Sequence, residues 1–184
     1  RFDLSQVGAL NEVTAPPTGD IDPDLQHALY RRHPCNVVRL VRSREEPGDT
    51  SSADRVIRAD DFLRLWKKEG VLLREHDDCF YICETISPPG SSASADAAHH
   101  PAPASRISII ACLATPRDSS NDIRSVGTVS SKEVQQELEL LRCCQAALTP
   151  ASGLLSVNNA GQTQSLSEQL RAAVAGLTPI EMLD

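Results

Sequence analysis

Residues 53–73 read Ala-Asp-Arg-Val-Ile-Arg-Ala-Asp-Asp-Phe-Leu-Arg-Leu-Trp-Lys-Lys-Glu-Gly-Val-Leu-Leu, and this stretch decides the fold. Val56, Ala59, Phe62, Leu63 and Trp66 recur at spacings of three and four, which makes one face of a helix apolar. The pattern predicts a helix from about Ala53 to Glu69, and Gly70 supplies the left-handed residue that ends it. Val71-Leu72-Leu73-Arg74 then loses the helical period and reads as a strand. Cys79-Phe80-Tyr81-Ile82-Cys83 reads as its hairpin partner across Glu75-His76-Asp77-Asp78.

Upstream, residues 1–21 read as an irregular segment stiffened by Pro16 and Pro17. Asp22 and Pro23 mark a helix start that Pro34 stops. Asn36-Val37-Val38-Arg39-Leu40-Val41 is β-branched and reads as a strand, followed by a polar loop over 43–52. Downstream, residues 86–105 are dense in Ser, Pro and Ala and are expected to be a disordered insert. A strand is predicted from Arg106 to Ala114. A capping box at Ser130–Glu133 opens a helix with Val134, Leu138 and Leu141 inward. Leu154 to Val157 reads as a strand and Asn158 to Gly161 as a turn. A second capping box at Ser165–Glu168 opens a last helix with Leu166, Leu170 and Val174 on one face, closed by Gly176.

This order predicts a mixed α/β fold, with helices packed on a mixed β-sheet. The expected organisation is an amino-terminal α/β unit over 1–85, the insert over 86–105, and a second portion of the same domain over 106–184.

Composition narrows the function. A net charge of −7 argues against a duplex-binding surface, because phosphate neutralisation supplies most non-specific affinity. No apolar stretch reaches the ~20 residues of a membrane span. Six cysteines without a C-x-x-C pair give weak support for zinc and read as buried reduced thiols. No signal peptide is read at the start, and a soluble cytoplasmic protein is expected. Asp60-Asp61 on a helix projects in two directions, so Asp60 is expected to pair with Arg64. His99-His100 lies in the insert, where nothing fixes a metal geometry. Nucleotide-loop, nucleophile-elbow and zincin motifs are absent, so no catalytic residue, metal or cofactor is assigned.

Several stretches together resemble the domain of unknown function 1015 family. Residues 1–17 resemble its opening, which leads into A-P-P-Y-D. Arg32-His33-Pro34 with Asn36-Val37-Val38-Arg39-Leu40 resembles H-P-x-N-V-V-R-L. W-K-K-E-G-V-L-L from Trp66 and F-Y-I-C-E from Phe80 are similar to its helix-to-hairpin segment. Leu140-Leu141-Arg142 through Leu148-Thr149-Pro150 resembles L-L-R-x-x-x-A-x-L-S-P. The chain departs from the family at Thr18-Gly19, where the family has Tyr-Asp. It departs again near Thr128, where the family's His-Glu-x-Thr keeps only the Thr. The family's D-G-H-H-R motif, similar to the phosphate-binding turn of the ParB and sulfiredoxin-like fold, has no counterpart here.

The resemblance implies that this is the amino-terminal part of a longer protein whose catalytic or ligand-binding half lies elsewhere. It also implies a small phosphorylated or amino-acid ligand, since members sit beside serine-biosynthesis genes. Two readings follow. One is a non-catalytic binding or scaffold module with unknown partners. The other is the first part of a nucleotide- or phospho-metabolite-dependent enzyme, in which Asn36, Arg39, Thr128 and Arg142 face a shared cleft. The structural alternative for these four is a strand cap, a salt bridge, a turn residue, and a pair with Glu139.

Overall fold

The computed structural model describes residues 1–87, 104–113, 130–153, 160–177 and 179. The described residues form two compact units, one holding 1–76 and 130–151, the other 77–87, 104–113, 152–153, 160–177 and 179. Helix and strand are mixed, as the order of elements predicts.

The first unit is helical. Short helices α1 (Leu4–Val7) and α2 (Leu10–Val13) lead to α3 (Pro23–Arg32) and the single turn α4 (Val38–Val41). Helix α5 (Ser52–Lys68) follows, and α6 (Ser131–Cys144) packs on it. Helix α3 starts where Asp22 accepts the Leu25 N–H at 2.7 Å and Pro23 sets the first turn. Helix α5 starts one residue earlier than its apolar period indicates. There a capping box closes, with the Ser51 hydroxyl accepting the Ala53 N–H at 3.2 Å. Gly70 ends this region at φ +76°, as its position predicts.

The inward face of α5 is the expected one. Ala59, Leu63 and Trp66 are buried with Val7, Val13, Leu40, Val71, Leu140 and Cys144. Trp66 has Phe2 at 6.1 Å and Phe62 at 6.0 Å between ring centroids, both tilted. A second cluster gathers Ile21, Leu29, Tyr30 and Val38.

Residues 36–41 are a helical turn, not a strand. The Asn36 Oδ1 accepts the Val38 N–H at 3.0 Å, and Val37 O accepts from Leu40 and Val41. A local side-chain bond that starts a turn outweighs the β preference of three valines where no strand among the described residues pairs with them. The expected hairpin of 71–74 with 79–83 does not form. Residues 71–73 pair with the first residues of the chain, through Asp3 N to Val71 O at 2.8 Å and Leu73 N to Arg1 O at 2.8 Å. Phe2 bridges Leu72 in antiparallel sense. The turn at 75–78 holds no Gly or Asn for a tight hairpin, and the first residues of the chain take the edge of 71–73 instead.

Helix α6 begins after Ser130, but that side chain makes no cap hydrogen bond. Its buried residues are Leu140 and Cys144. Val134 and Leu141, expected inside, are 49 % and 48 % exposed, because the face turned to α5 runs through Leu140 and Cys144 instead.

The second unit holds an antiparallel pair, β1 (Tyr81–Ser87) with β2 (Ala104–Ile110), and α7 (Ala160–Ala175). The two strands flank the predicted insert. Ile86, Ser87, Ala104 and Ser105, read as insert, are paired strand residues. Residues 88–103 lie outside the described residues, as do the predicted strand at 154–157 and His99-His100. Helix α7 starts at Ala160, so Ala160 and Gly161 of the expected turn are helical and Ser165 is interior, while residues 158 and 159 lie outside the described residues. Leu166, Leu170 and Val174 are half-buried, the face expected of them.

Candidate functional site

Of the four residues singled out by sequence, Asn36, Arg39 and Arg142 are described. Asn36 is wholly buried. Its Nδ2 donates to Glu12 O at 2.8 Å and Thr14 O at 2.9 Å, which with the Val38 contact occupies the amide on both sides. Arg39 is half-buried. Its guanidinium lies 4.3 Å from the Tyr30 ring centroid and 5.5 Å from that of Phe62, and it donates to Tyr30 O at 2.8 Å. Its Nε is buried without a hydrogen-bond partner. Arg142 is exposed near the end of α6. Glu139, its expected partner, instead accepts from Gln135 Nε2 at 3.0 Å. Thr128 lies outside the described residues. Asp60 does pair with Arg64, at 2.7 Å, as its spacing predicts.

A cleft of about 740 Å³ opens in the first unit. Its floor is apolar, with Leu40 and Val41 of α4, Val56 of α5 and Leu140 of α6. Its walls carry Arg42 and Arg44 from the loop after α4, Arg55 from α5 and Lys132 from α6. Four carboxylates face the same space: Glu45, Glu133, Glu137 and Glu139. None of Asn36, Arg39 and Arg142 lines it.

The loop bearing Arg42 and Arg44 is held from several sides. Gln26 Nε2 donates to Arg42 O at 2.7 Å, and the Tyr30 hydroxyl accepts the Arg44 N–H at 3.0 Å. The Arg44 guanidinium lies 4.7 Å from the Tyr30 ring centroid. Behind it Arg58 donates to Arg44 O at 2.7 Å and pairs with Asp49 and with Glu46. Loop position is therefore fixed by the packed side of α5, while the Arg42 side chain reaches Thr18 O at 3.2 Å across the cleft mouth. Arg55 meets Glu45 at 3.4 Å, a solvent-exposed pair that a ligand could exchange at small cost.

The shifted ionisable groups lie away from these walls or are structural. The Thr50 and Ser51 N–H groups hold the Asp54 carboxyl below its ordinary value. The Ser5 hydroxyl does the same for Asp3. Burial, reinforced by Cys143 and Asp60, pushes the Cys144 thiol up to about 11. Burial also raises Cys35. Of the six free thiols, Cys144 alone is buried, while Cys79, Cys83 and Cys112 are exposed. The expectation of buried thiols fails for these three because they lie on or beside a two-stranded ribbon, which has too little cover to bury them. No group of three or more potential metal ligands occurs among the described residues.

The family model described as Protein of unknown function (DUF1015) matches residues 1–180. The chain belongs to this family. No curated protein and no solved structure matches it. In this DUF1015 chain no helix among the described residues is long and apolar enough to cross a membrane. The family-like residues Asn36, Arg39 and Trp66 serve packing and backbone pairing, whereas the cleft residues lie mostly between the resembling stretches. One signal for them was available in sequence: Lys132 falls in the first turn of a helix, where a cation opposes the dipole.

Proposed function

We propose that this chain is a non-catalytic binding module whose cleft takes a small phosphorylated zwitterion, such as a phosphoamino acid. The observation that supports it is the lining. Four cations and four carboxylates surround an apolar floor in one space of about 740 Å³. Guanidinium groups suit a phosphate through paired donors, and the carboxylates suit an ammonium group. The lining argues against a purely anionic polymer, which the carboxylates would repel. The implied serine-linked phosphorylated ligand has this charge pattern.

The test is thermal unfolding with O-phosphoserine, serine and inorganic phosphate. O-phosphoserine should stabilise most, since a ligand at ~100 times its dissociation constant adds ~2.7 kcal/mol. Arg42→Ala combined with Lys132→Ala should abolish that gain, and both residues are exposed enough to leave the unliganded fold intact. Absence of any shift with O-phosphoserine would remove the reading. Turnover of O-phosphoserine or ATP in the same mixture would replace it with an enzymatic one.

A further inference from the structure

Strand β1 meets β2 with Cys83 opposite Ser108 and Tyr81 opposite Ile110. The ladder ends at Tyr81–Ile110, and carrying its register two residues outward would set Cys79 against Cys112. Directly opposed residues of an antiparallel pair have Cα atoms about 4.5–5.5 Å apart, inside the roughly 4.4–6.8 Å a disulfide spans. Cys83 cannot take either place. It lies four residues along the strand from Cys79 and from the position opposite Cys112, a distance of about 13 Å at ~3.3 Å per residue. Both Cys79 and Cys112 are exposed free thiols.

The alternation of strand side chains places Cys79, Tyr81 and Cys83 on one face with Ser108, Ile110 and Cys112. The opposite face carries Glu84, which pairs with Arg171 of α7 at 3.6 Å. Ile82 and Ile107 on that face are half-buried. Helix α7 meets that face at Glu84, while Cys79, Cys83 and Cys112 are open to solvent.

We propose that Cys79 and Cys112 are an oxidation site, closed to a cross-strand disulfide by peroxide-class oxidants. One thiolate attacks the peroxide, the O–O bond breaks, and a sulfenic acid and hydroxide form. The second thiol attacks that sulfur, the S–S bond forms, the S–O bond breaks and water leaves. In sum, two thiols lose two protons and two electrons, and the peroxide is reduced to two waters. The bond ties the end of the ribbon remote from its strand connection. A two-stranded ribbon is marginal on its own, so the tie should extend its pairing.

The experiment treats the full chain with hydrogen peroxide, blocks residual thiols, digests with trypsin without reduction and maps cross-linked peptides. Cys112 lies in the peptide 107–117, and Cys79 shares the peptide 75–106 with Cys83. The C83S variant assigns the bond. The expected result is an intramolecular link between these peptides in wild type and C83S, absent from C79S and C112S. Amide exchange in 81–87 and 104–110 should slow on oxidation and recover with dithiothreitol. A link that survives in C79S, a link only between chains, or six alkylated cysteines after peroxide would each overturn the proposal.

Discussion

The side-chain amide of Asn36 donates to the Thr14 carbonyl at 2.9 Å, joining residues 22 apart in the chain. The same nitrogen reaches Glu12 O, and Oδ1 holds the Val38 N–H, so one buried side chain satisfies three backbone groups. Asn36→Ala leaves them unpaired away from water. It should destabilise the protein by about 3 kcal/mol. Urea unfolding should show a lower midpoint at unchanged slope. A loss under ~1 kcal/mol, the scale of one net hydrogen bond, would mean that this pin is dispensable.

Arg39 stacks on Tyr30 and also bonds its carbonyl oxygen. Arg39→Lys keeps the charge but loses the planar stack and the fork of donors. We expect a loss of about 1 kcal/mol in stability. Because Arg39 is outside the cleft lining, affinity for O-phosphoserine should be unchanged, as isothermal titration calorimetry would show.

Gly70 sits at φ +76°, and a Cβ there would come 3.3 Å from Gln6 Nε2. Gly70→Ala should cost about 1–2 kcal/mol, the penalty of a left-handed residue bearing a side chain. Gly70→Asn should cost less, since Asn tolerates that region. Equal thermal stability of the alanine variant and wild type would contradict this.

Asp54 is held below its ordinary value of 3.8, chiefly by the Thr50 and Ser51 N–H groups. A depressed folded value means the unfolded state binds the proton more readily. The stabilisation is therefore complete above the unfolded value and is lost as pH falls through the folded one. The stability gap between wild type and Asp54→Ala should be constant from neutral pH to about pH 5 and shrink below 3.8. A gap that widens on acidification would show that the carboxylate is not what caps α5.

Helices α3 and α5 were legible because their signals are local: Asp22-Pro23 at one start, and an unbroken apolar period through Trp66. The turn at 38–41 was not, since its valines carry a strand preference and the deciding bond comes from the Asn36 side chain. The pairing of 71–73 with residues 1–3 is a contact across the whole unit that no local pattern announces. The partners of β1 were hidden the same way, because its mate lies beyond a long polar segment. The cleft depends on side chains from α4, α5 and α6 meeting in space. Arg42 and Arg44 look like ordinary loop cations until Tyr30 and Arg58 are seen fixing their backbone.

The central claim is that the α4–α5–α6 cleft binds a small phosphorylated zwitterion. It is tested most directly by titrating isotope-labelled protein with O-phosphoserine and following backbone amide shifts. Saturable shifts should cluster at Gly19, Arg42, Ser43, Ser52 and Lys132, around the cleft wall. Serine alone should produce weaker ones. Shifts that stay absent at millimolar ligand, or that gather on the β1–β2 ribbon, would contradict the account.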